Sequence, residues 1–307
     1  MAPQKTLSPL AWALLVTLAL IWGGIFPAGK VLLQEVGPLT IVAHRTFWAA
    51  LLLWVVIALR GIRLPRNPRV WVGLAGMGLI NNLLPFSLIF WGQQHIEAGL
   101  AAILNGATAI FGVIAAAIFF ADEKLTRRKA VGVVLGFAGV ATAMGLDHLR
   151  EFDLRSLGQL ALLGAAACYA LAGIWARKML HDVPSDLSAA GMLSFSAVFA
   201  WIAAWTLEAP PSLAYSPLTL ALLAYAAIPG TAIAFMLYYR ILALAGASNL
   251  LLVTLLVTPV AILISTFTLG ETLAPHVLVG FAIIAAGLAV IDGRVLRLAG
   301  RRSTLRK

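Results

Sequence analysis

The stretch Gly24-Ile25-Phe26-Pro27-Ala28-Gly29-Lys30 has the spacing of a phosphate-binding loop, two glycines five apart followed by lysine. Such a loop works only between a strand and a helix N-terminus, where free backbone N–H groups surround the phosphate, and it needs a hydroxyl next for magnesium. Val31 stands in the hydroxyl position, and the glycines close an apolar run over residues 10–29. Nucleotide binding is therefore not expected. Pro27 has no N–H and crowds the carbonyl of Gly23, which predicts a helix loosened at Gly23-Gly24. A second, compatible reading is that the two glycines let a neighbouring helix approach closely. Other chemistries find no footing. The five histidines, at 44, 95, 148, 181 and 276, form no metal-spaced pair, and there is no serine-centred nucleophile motif. No catalytic residue, metal or cofactor is expected, and an intramembrane enzyme is the weakest of the rival functions.

The elements that carry these residues follow from composition. Of 307 residues, 62% are hydrophobic and only 11% charged, where a soluble domain carries roughly 25% charged residues. Long apolar runs recur from end to end, and a bilayer needs roughly 20 apolar residues per helical span. Barrel strands would alternate apolar and polar residues; these runs are apolar on every face. The fold class is therefore all-α integral membrane. Ten transmembrane helices are expected, at 10–29, 40–59, 71–92, 98–120, 128–146, 156–179, 187–207, 217–239, 246–268 and 275–292. Connections are short and hold no soluble domain. The first run follows Lys5 but carries no cleavage site, so it is expected to remain a span. Cys168, the only cysteine, lies within a span and builds no disulfide framework.

The net charge of +10 is distributed as a topology signal. Ten spans put both termini on one side, together with Lys5, Arg60, Arg63, Arg66, Arg69, Lys124, Arg127, Arg128, Lys129, Arg177, Lys178, Arg240 and the tail from Arg294 to Lys307. The positive-inside rule places that side in the cytoplasm, which predicts a multi-pass protein of the cytoplasmic (inner) membrane. The basic tail reads as topology signal and lipid contact, and nucleic acid is not an expected partner. Arg45 falls inside the second span near its outer end, where it is expected to snorkel. Lys30 and Lys178 are expected at opposite faces, snorkelling or attracting a substrate carboxylate.

Sliding the chain by 148 positions lays its second half on its first: Phe90-Trp91 on Tyr238-Tyr239, Val131-Gly132 on Val279-Gly280, Gly139 on Gly287, Lys30 on Lys178. Each half, 1–149 and 150–307, then holds five spans. Five is odd, so the halves enter the membrane in opposite orientation. Two inverted five-helix repeats place a substrate near the midplane and support alternating access.

The residues also resemble a family. Trp22-Gly23-x-x-Phe26-x-x-x-Lys30, His44-Arg45-x-x-x-Ala49, Asn81-Asn82-x-x-Pro85-Phe86, and Glu123 and Glu271, each with a Leu and a Gly-rich helix after it, are together similar to the drug/metabolite transporter superfamily, EamA type. Within it, bacterial aromatic amino-acid exporters look nearest. Leu171 departs from the pattern, standing where the second repeat has a glycine. The resemblance implies two inverted five-helix bundles around a cavity lined by the first, third, fourth, sixth, eighth and ninth spans.

Candidate substrate contacts follow from polar and aromatic residues in interrupted spans. Pro85 and Pro229 fall in matching helices, a pointer to a transport site. Asn82, Phe86, Phe90 and Gln93 share one helical face, with Asn81 at its edge; Asn105 and Thr108 share a face of the fourth span. Trp22 and Tyr169 occupy equivalent places in the two halves, and Tyr238 lies deep in the eighth. Each amide could instead bond helix to helix. The glycines Gly132, Gly136, Gly139, Gly280 and Gly287 suit close helix packing within a monomer, or a weak homodimer.

An aromatic cavity with amides, hydroxyls and no fixed carboxylate suits a neutral or zwitterionic small molecule. The expected function is export of amino acids, aromatic and other neutral ones, and related metabolites; the alternative substrate is a small drug or another organic metabolite. A channel would want a ring of charges or carbonyls, which is not visible. All twelve carboxylates lie in loops or at span ends, so no group stands ready at mid-membrane to relay protons. Transport by exchange, or facilitated, is therefore predicted. Flux in liposomes should persist when an imposed pH gradient is removed, and collapse of flux would contradict the prediction.

Overall fold

A computed structural model describes residues 8–121, 125–145, 154–208, 214–246, 250 and 252–292. Glu123, with its neighbours Asp122 and Lys124, and the basic tail lie outside the described residues. Within them the chain is all helical: α1 Pro9–Leu32, α2 Pro38–Leu59, α3 Pro68–Gln93, α4 Ala98–Phe119, α5 Arg127–Met144, α6 Leu154–Met179, α7 Ser185–Leu207, α8 Pro217–Ala245, α9 Leu252–Leu269 and α10 Pro275–Asp292. Seven of these, α1 to α4 and α6 to α8, are long and apolar enough to cross a membrane, and α9 and α10 contain shorter apolar stretches, Leu256–Leu269 and Pro275–Ile291. The first turn of α5 is polar, with Arg127, Arg128 and Lys129.

Local chemistry sets the helix ends. Proline opens α1, α2, α3, α8 and α10, where its missing N–H leaves no hydrogen bond unmade. The Ser8 hydroxyl accepts from the Ala11 N–H at 3.2 Å and caps α1. Gly145 and Gly270, with φ of 73° and 66°, close α5 and α9 in the left-handed region that glycine enters without strain. Three helices are interrupted. Gly78–Leu83 in α3 and Ile228–Ile233 in α8 widen into π-type turns, and α4 tightens at Gly106-Ala107, where N–H groups reach back to carbonyls three residues earlier.

The helices pair as α1 with α9, α2 with α7, α5 with α10, and the second half of α3 and both parts of α4 with α6. Advancing each label by five turns the α1–α9 pair into α6–α4 and returns α2–α7 and α5–α10 to themselves. Small residues allow the closest approaches. A Cβ on Gly139 would lie 2.8 Å from the Gly280 carbonyl oxygen, and one on Gly132 would lie 2.7 Å from that of Gly287. The five glycines read as packing residues thus make their contacts inside this chain. Outward faces are apolar: Trp12, Val16 and Leu20 on α1, Trp48, Leu51 and Val55 on α2, and Val198, Ile202 and Trp205 on α7 are all largely exposed. In hydrocarbon such faces are solvated, and only the backbone must be satisfied internally.

Two ends of the bundle differ in chemistry. α1 finishes where α6 starts, because Lys30 lies among Glu97, Glu271 and Arg155, whereas Lys178 lies at the far end, 5.3 Å from the Phe119 ring. Gly139→Val should destabilise the α5–α10 contact by about 1–3 kcal/mol, because the added atoms meet backbone. Gly112→Ala should leave stability unchanged, since a Cβ there meets nothing within 4 Å. Melting of the two purified variants in detergent checks this; equal curves would contradict the packing.

Candidate functional site

The break in α8 is the polar centre of the bundle. Pro229 and Gly230 lie in the widened turn Ile228–Ile233, where the Gly230 carbonyl faces neighbouring helices. Trp22 Nε1 of α1 donates to that oxygen at 3.2 Å, and Arg45 Nη2 of α2 donates to it at 3.4 Å. Arg45 Nε donates to Thr231 Oγ1 at 2.7 Å, and that hydroxyl donates in turn to the Ala226 carbonyl at 2.8 Å. The guanidinium carbon lies 3.9 Å from the centroid of the Phe86 ring of α3, a cation–π contact.

Two expectations are corrected here. Arg45 does not snorkel: it is only 6% exposed, because the α8 break supplies acceptors in the interior and Phe86 covers the flat face. Nor is α1 loosened at Gly23-Gly24. It runs as α-helix through Pro27, and both glycines serve close approach. A Cβ on Gly23 would meet Val260 and the Ala261 N–H group of α9, and one on Gly24 would meet the Tyr225 hydroxyl. That hydroxyl donates to the Ile21 carbonyl at 2.6 Å.

The break in α3 has the opposite character. Asn82 is 0% exposed, and neither its Nδ2 nor its Oδ1 has a hydrogen-bond partner among the described residues. Asn81 is half-buried, its Nδ2 3.7 Å from Met192 Sδ. Further along the face, Phe86, Phe90 and Gln93 are buried. Gln93 Nε2 donates to the Phe26 carbonyl at 2.8 Å, while Oε1 is unpaired. Gly29 is closely covered by Phe90 and Gln93, so the supposed phosphate glycine is a packing residue.

The remaining candidates divide. The rings of Trp22 and Tyr238 lie 6.0 Å apart, tilted at 42°. Tyr169 packs against two apolar clusters, one that also takes Trp22 and Tyr238 and one that holds Phe86 and Phe90, and is an electrostatic neighbour of Arg45. Asn105 Oδ1 is buried without a partner. The Thr108 hydroxyl donates to the Asn105 carbonyl at 2.7 Å, so its proton holds the α4 interruption. The structure therefore brings Trp22, Phe86, Tyr169 and Tyr238 around the α8 break, with Asn82 one turn before Phe86. Asn105 and Thr108 lie at the separate α4 interruption.

Sequence reading missed Gly230, Thr231 and Tyr225. A signal existed for the first, because the 148-residue slide lays Asn82 on Gly230. None existed for Thr231 and Tyr225, whose partners are far away in sequence. His44, beside Arg45, faces elsewhere: it lines an apolar groove of about 510 Å³ between α2 and α8 with Trp48, Tyr215, Leu223 and Ile228. None of the ten candidate residues lines it.

At the end that holds Lys30, carboxylates tie helix starts. Glu208 accepts from the N–H groups of Leu39 and Thr40 at 2.7 and 3.0 Å and from the Thr40 hydroxyl at 2.7 Å. Glu271 accepts from Ala98 and Gly99 at 2.8 and 3.1 Å, and Glu35 from Ser216 at 3.0 Å. Each carboxylate sits where a helix N-terminus exposes unpaired donors and partial positive charge. Glu97 and Arg155 add a two-bond ion pair at 3.0 Å. Burial would raise the Glu97 carboxyl, but the Arg155 bonds and the positive charges of Arg155 and Lys30 outweigh it and hold it below the usual range. Among the described residues no group of three or more His, Cys, Asp or Glu could hold a metal.

Comparison with known proteins gives a consistent picture. The model of the EamA-like transporter family matches residues 9–145 and again residues 156–292. A Streptantibioticus cattleyicolor protein named a probable terminal-alkyne amino-acid exporter is 29% identical over 96% of both chains. A Salmonella typhimurium protein named a probable amino-acid metabolite efflux pump is 26% identical over 91% of this chain and 92% of its own. The uncharacterized transporter YvbV of Bacillus subtilis is 26% identical over 91% and 90%. A crystal structure 20% identical to this chain superposes with a TM-score of 0.65, covering 92% of this chain and 96% of its own, and so shares the fold.

Glu208→Ala should cost about 0.5–2 kcal/mol, the range for loss of a helix cap, and Glu208→Gln should cost less because it keeps an acceptor. Thermal melting in detergent checks the order; an alanine variant as stable as the parent would contradict it.

Proposed function

Because the chain belongs to the EamA-like transporter family, we propose that it exports amino acids, aromatic and other neutral ones, and related metabolites, by alternating access between inverted five-helix halves. The observation that carries the transport reading is the double match of one family model to residues 9–145 and 156–292. Three features support a ten-span, inverted arrangement with halves 1–149 and 150–307. The π-type turns of α3 and α8 occupy corresponding helices. The packing pairs exchange when labels advance by five. Lys30 and Lys178, matched in the slide, lie at opposite ends. The basic residues Arg60, Arg63, Arg66 and Arg69 gather at the end away from Lys30, which supports an inner-membrane location with that end and both termini in the cytoplasm.

The substrate class rests on two supports. Two relatives are named as amino-acid or amino-acid-metabolite exporters, and the interior combines aromatic walls with unpaired amide groups. Buried amides without partners are costly in an apolar bilayer interior, and a solute that pairs with them recovers that free energy. Asn82 is the strongest contact in this reading, Trp22, Tyr169 and Tyr238 the walls, and Thr108 the weakest.

Purified protein in liposomes should move labelled amino acids faster than empty liposomes do, and no flux across the panel would contradict the amino-acid reading. Asn82→Ala should lower that flux by roughly tenfold, the effect of about one lost hydrogen bond to a bound solute, while leaving the yield of folded protein unchanged. A variant with lower yield but normal flux per folded molecule would assign Asn82 to packing alone.

A further inference from the structure

Arg45 is 6% exposed within helices that are otherwise apolar. A guanidinium has five N–H donors and no acceptor. Nε is used on Thr231 and one Nη2 bond runs to Gly230, while one face lies on Phe86. No carboxylate among the described residues pairs with it; its electrostatic neighbours are the phenols of Tyr169 and Tyr225. Carboxylates do occur in the bundle, but Glu35, Glu97, Glu208 and Glu271 are engaged at one end, on helix starts or on Arg155.

A buried cation without an anion is destabilising by several kcal/mol, more than neutral acceptors and one ring offset. Where a helix only needed its break capped, a neutral donor would serve, as Trp22 does on the same Gly230 oxygen. Arginine adds a planar pair of donors shaped for a carboxylate. The groups around it suit the rest of an amino acid: Trp22, Tyr169 and Tyr238 are aromatic, and Asn82, one turn before Phe86 on α3, is buried with both amide atoms unpaired.

We propose that the free edge of the Arg45 guanidinium is the docking point for the carboxylate of the transported molecule. The α8 break thereby holds a cation whose counter-ion is the substrate itself. The proposal rests on the transporter reading and narrows it: the substrate carries a carboxylate, and neutral amides or amines of the same shape are poor substrates. It also removes any need for a fixed mid-membrane anion, because the substrate carboxylate is the partner that the guanidinium pairs with.

The experiment compares exchange of labelled phenylalanine with that of phenylalaninamide in liposomes, for the wild-type protein, Arg45→Gln and Arg45→Lys. The wild type should prefer the acid by about tenfold or more, the effect of one charge-assisted pair. Arg45→Gln should abolish the preference, and Arg45→Lys should keep part of it. Phenylalanine, but not the amide, should also raise the melting temperature of the wild type, a readout that stands even where Arg45→Gln fails to fold. A wild type that moves both compounds equally, or an Arg45→Gln variant that slows both by the same factor, would overturn the proposal and leave the transporter reading intact. A wild type that moves no amino acid in the panel would remove both.

Discussion

The carbonyl of Gly230 organises the interior of this protein. Pro229 and Gly230 lie within the widened turn Ile228–Ile233, and in hydrocarbon a backbone acceptor without donors is destabilising by several kcal/mol. Two side chains from different helices donate to this oxygen, Trp22 from α1 and Arg45 from α2. Arg45 then reaches Thr231 and lies on Phe86 of α3. One backbone oxygen therefore joins three helices directly, and Arg45 extends the contact to α3. The glycine there keeps the approach close: a Cβ on Gly230 would press on the end of the Ile25 side chain of α1 and lie 3.1 Å from the Tyr225 carbonyl oxygen.

The two interrupted helices are alike in place and unlike in bonding. The α8 turn is filled by protein donors, whereas the α3 turn presents Asn82 with no partner among the described residues. A bundle that needed only stability would pair that amide or replace it with an apolar residue. Keeping it unpaired leaves polar capacity beside aromatic walls, which suits a solute that arrives and leaves. Among the described residues Glu35, Glu208 and Glu271 are held to one end, where helix N-termini supply donors and the interior is spared their desolvation.

Much of this was legible in the chain. Composition and run length set the helical membrane class, and most observed helices begin and end within a few residues of the expected runs, because proline and glycine mark the boundaries in sequence; the exception is the α8–α9 junction, where α8 continues to Ala245 and α9 starts at Leu252, each six residues later than expected. The buried face of Asn82, Phe86, Phe90 and Gln93 followed from helical spacing alone. Arg45 did not follow. Its acceptors, Gly230 and Thr231, lie 185 and 186 residues away in the chain, and a charged residue near a span end looks like one that snorkels until its partners are placed. The loosening expected at Gly23-Gly24 failed for a related reason. Pro27 alone does not break a helix when Val260, Ala261 and Tyr225 pack against the glycines.

In the proposed transport cycle the two halves meet at the α8 break and rock about it, so that the ends open in turn. At one end Glu35, Glu208 and Glu271 tie helices of one half to those of the other; at the opposite end Arg60 and Asp186 pair at 2.6 Å. Pulsed electron spin resonance tests this most directly. With Cys168 replaced by serine, one spin-label pair at Gln34 and Leu218 reports the first end and another at Arg63 and His181 the second. Adding transported amino acid to the reconstituted protein should shift the two distance distributions in opposite directions. Distributions that stay fixed, or that widen together at both ends while labelled substrate crosses the membrane, would contradict the account.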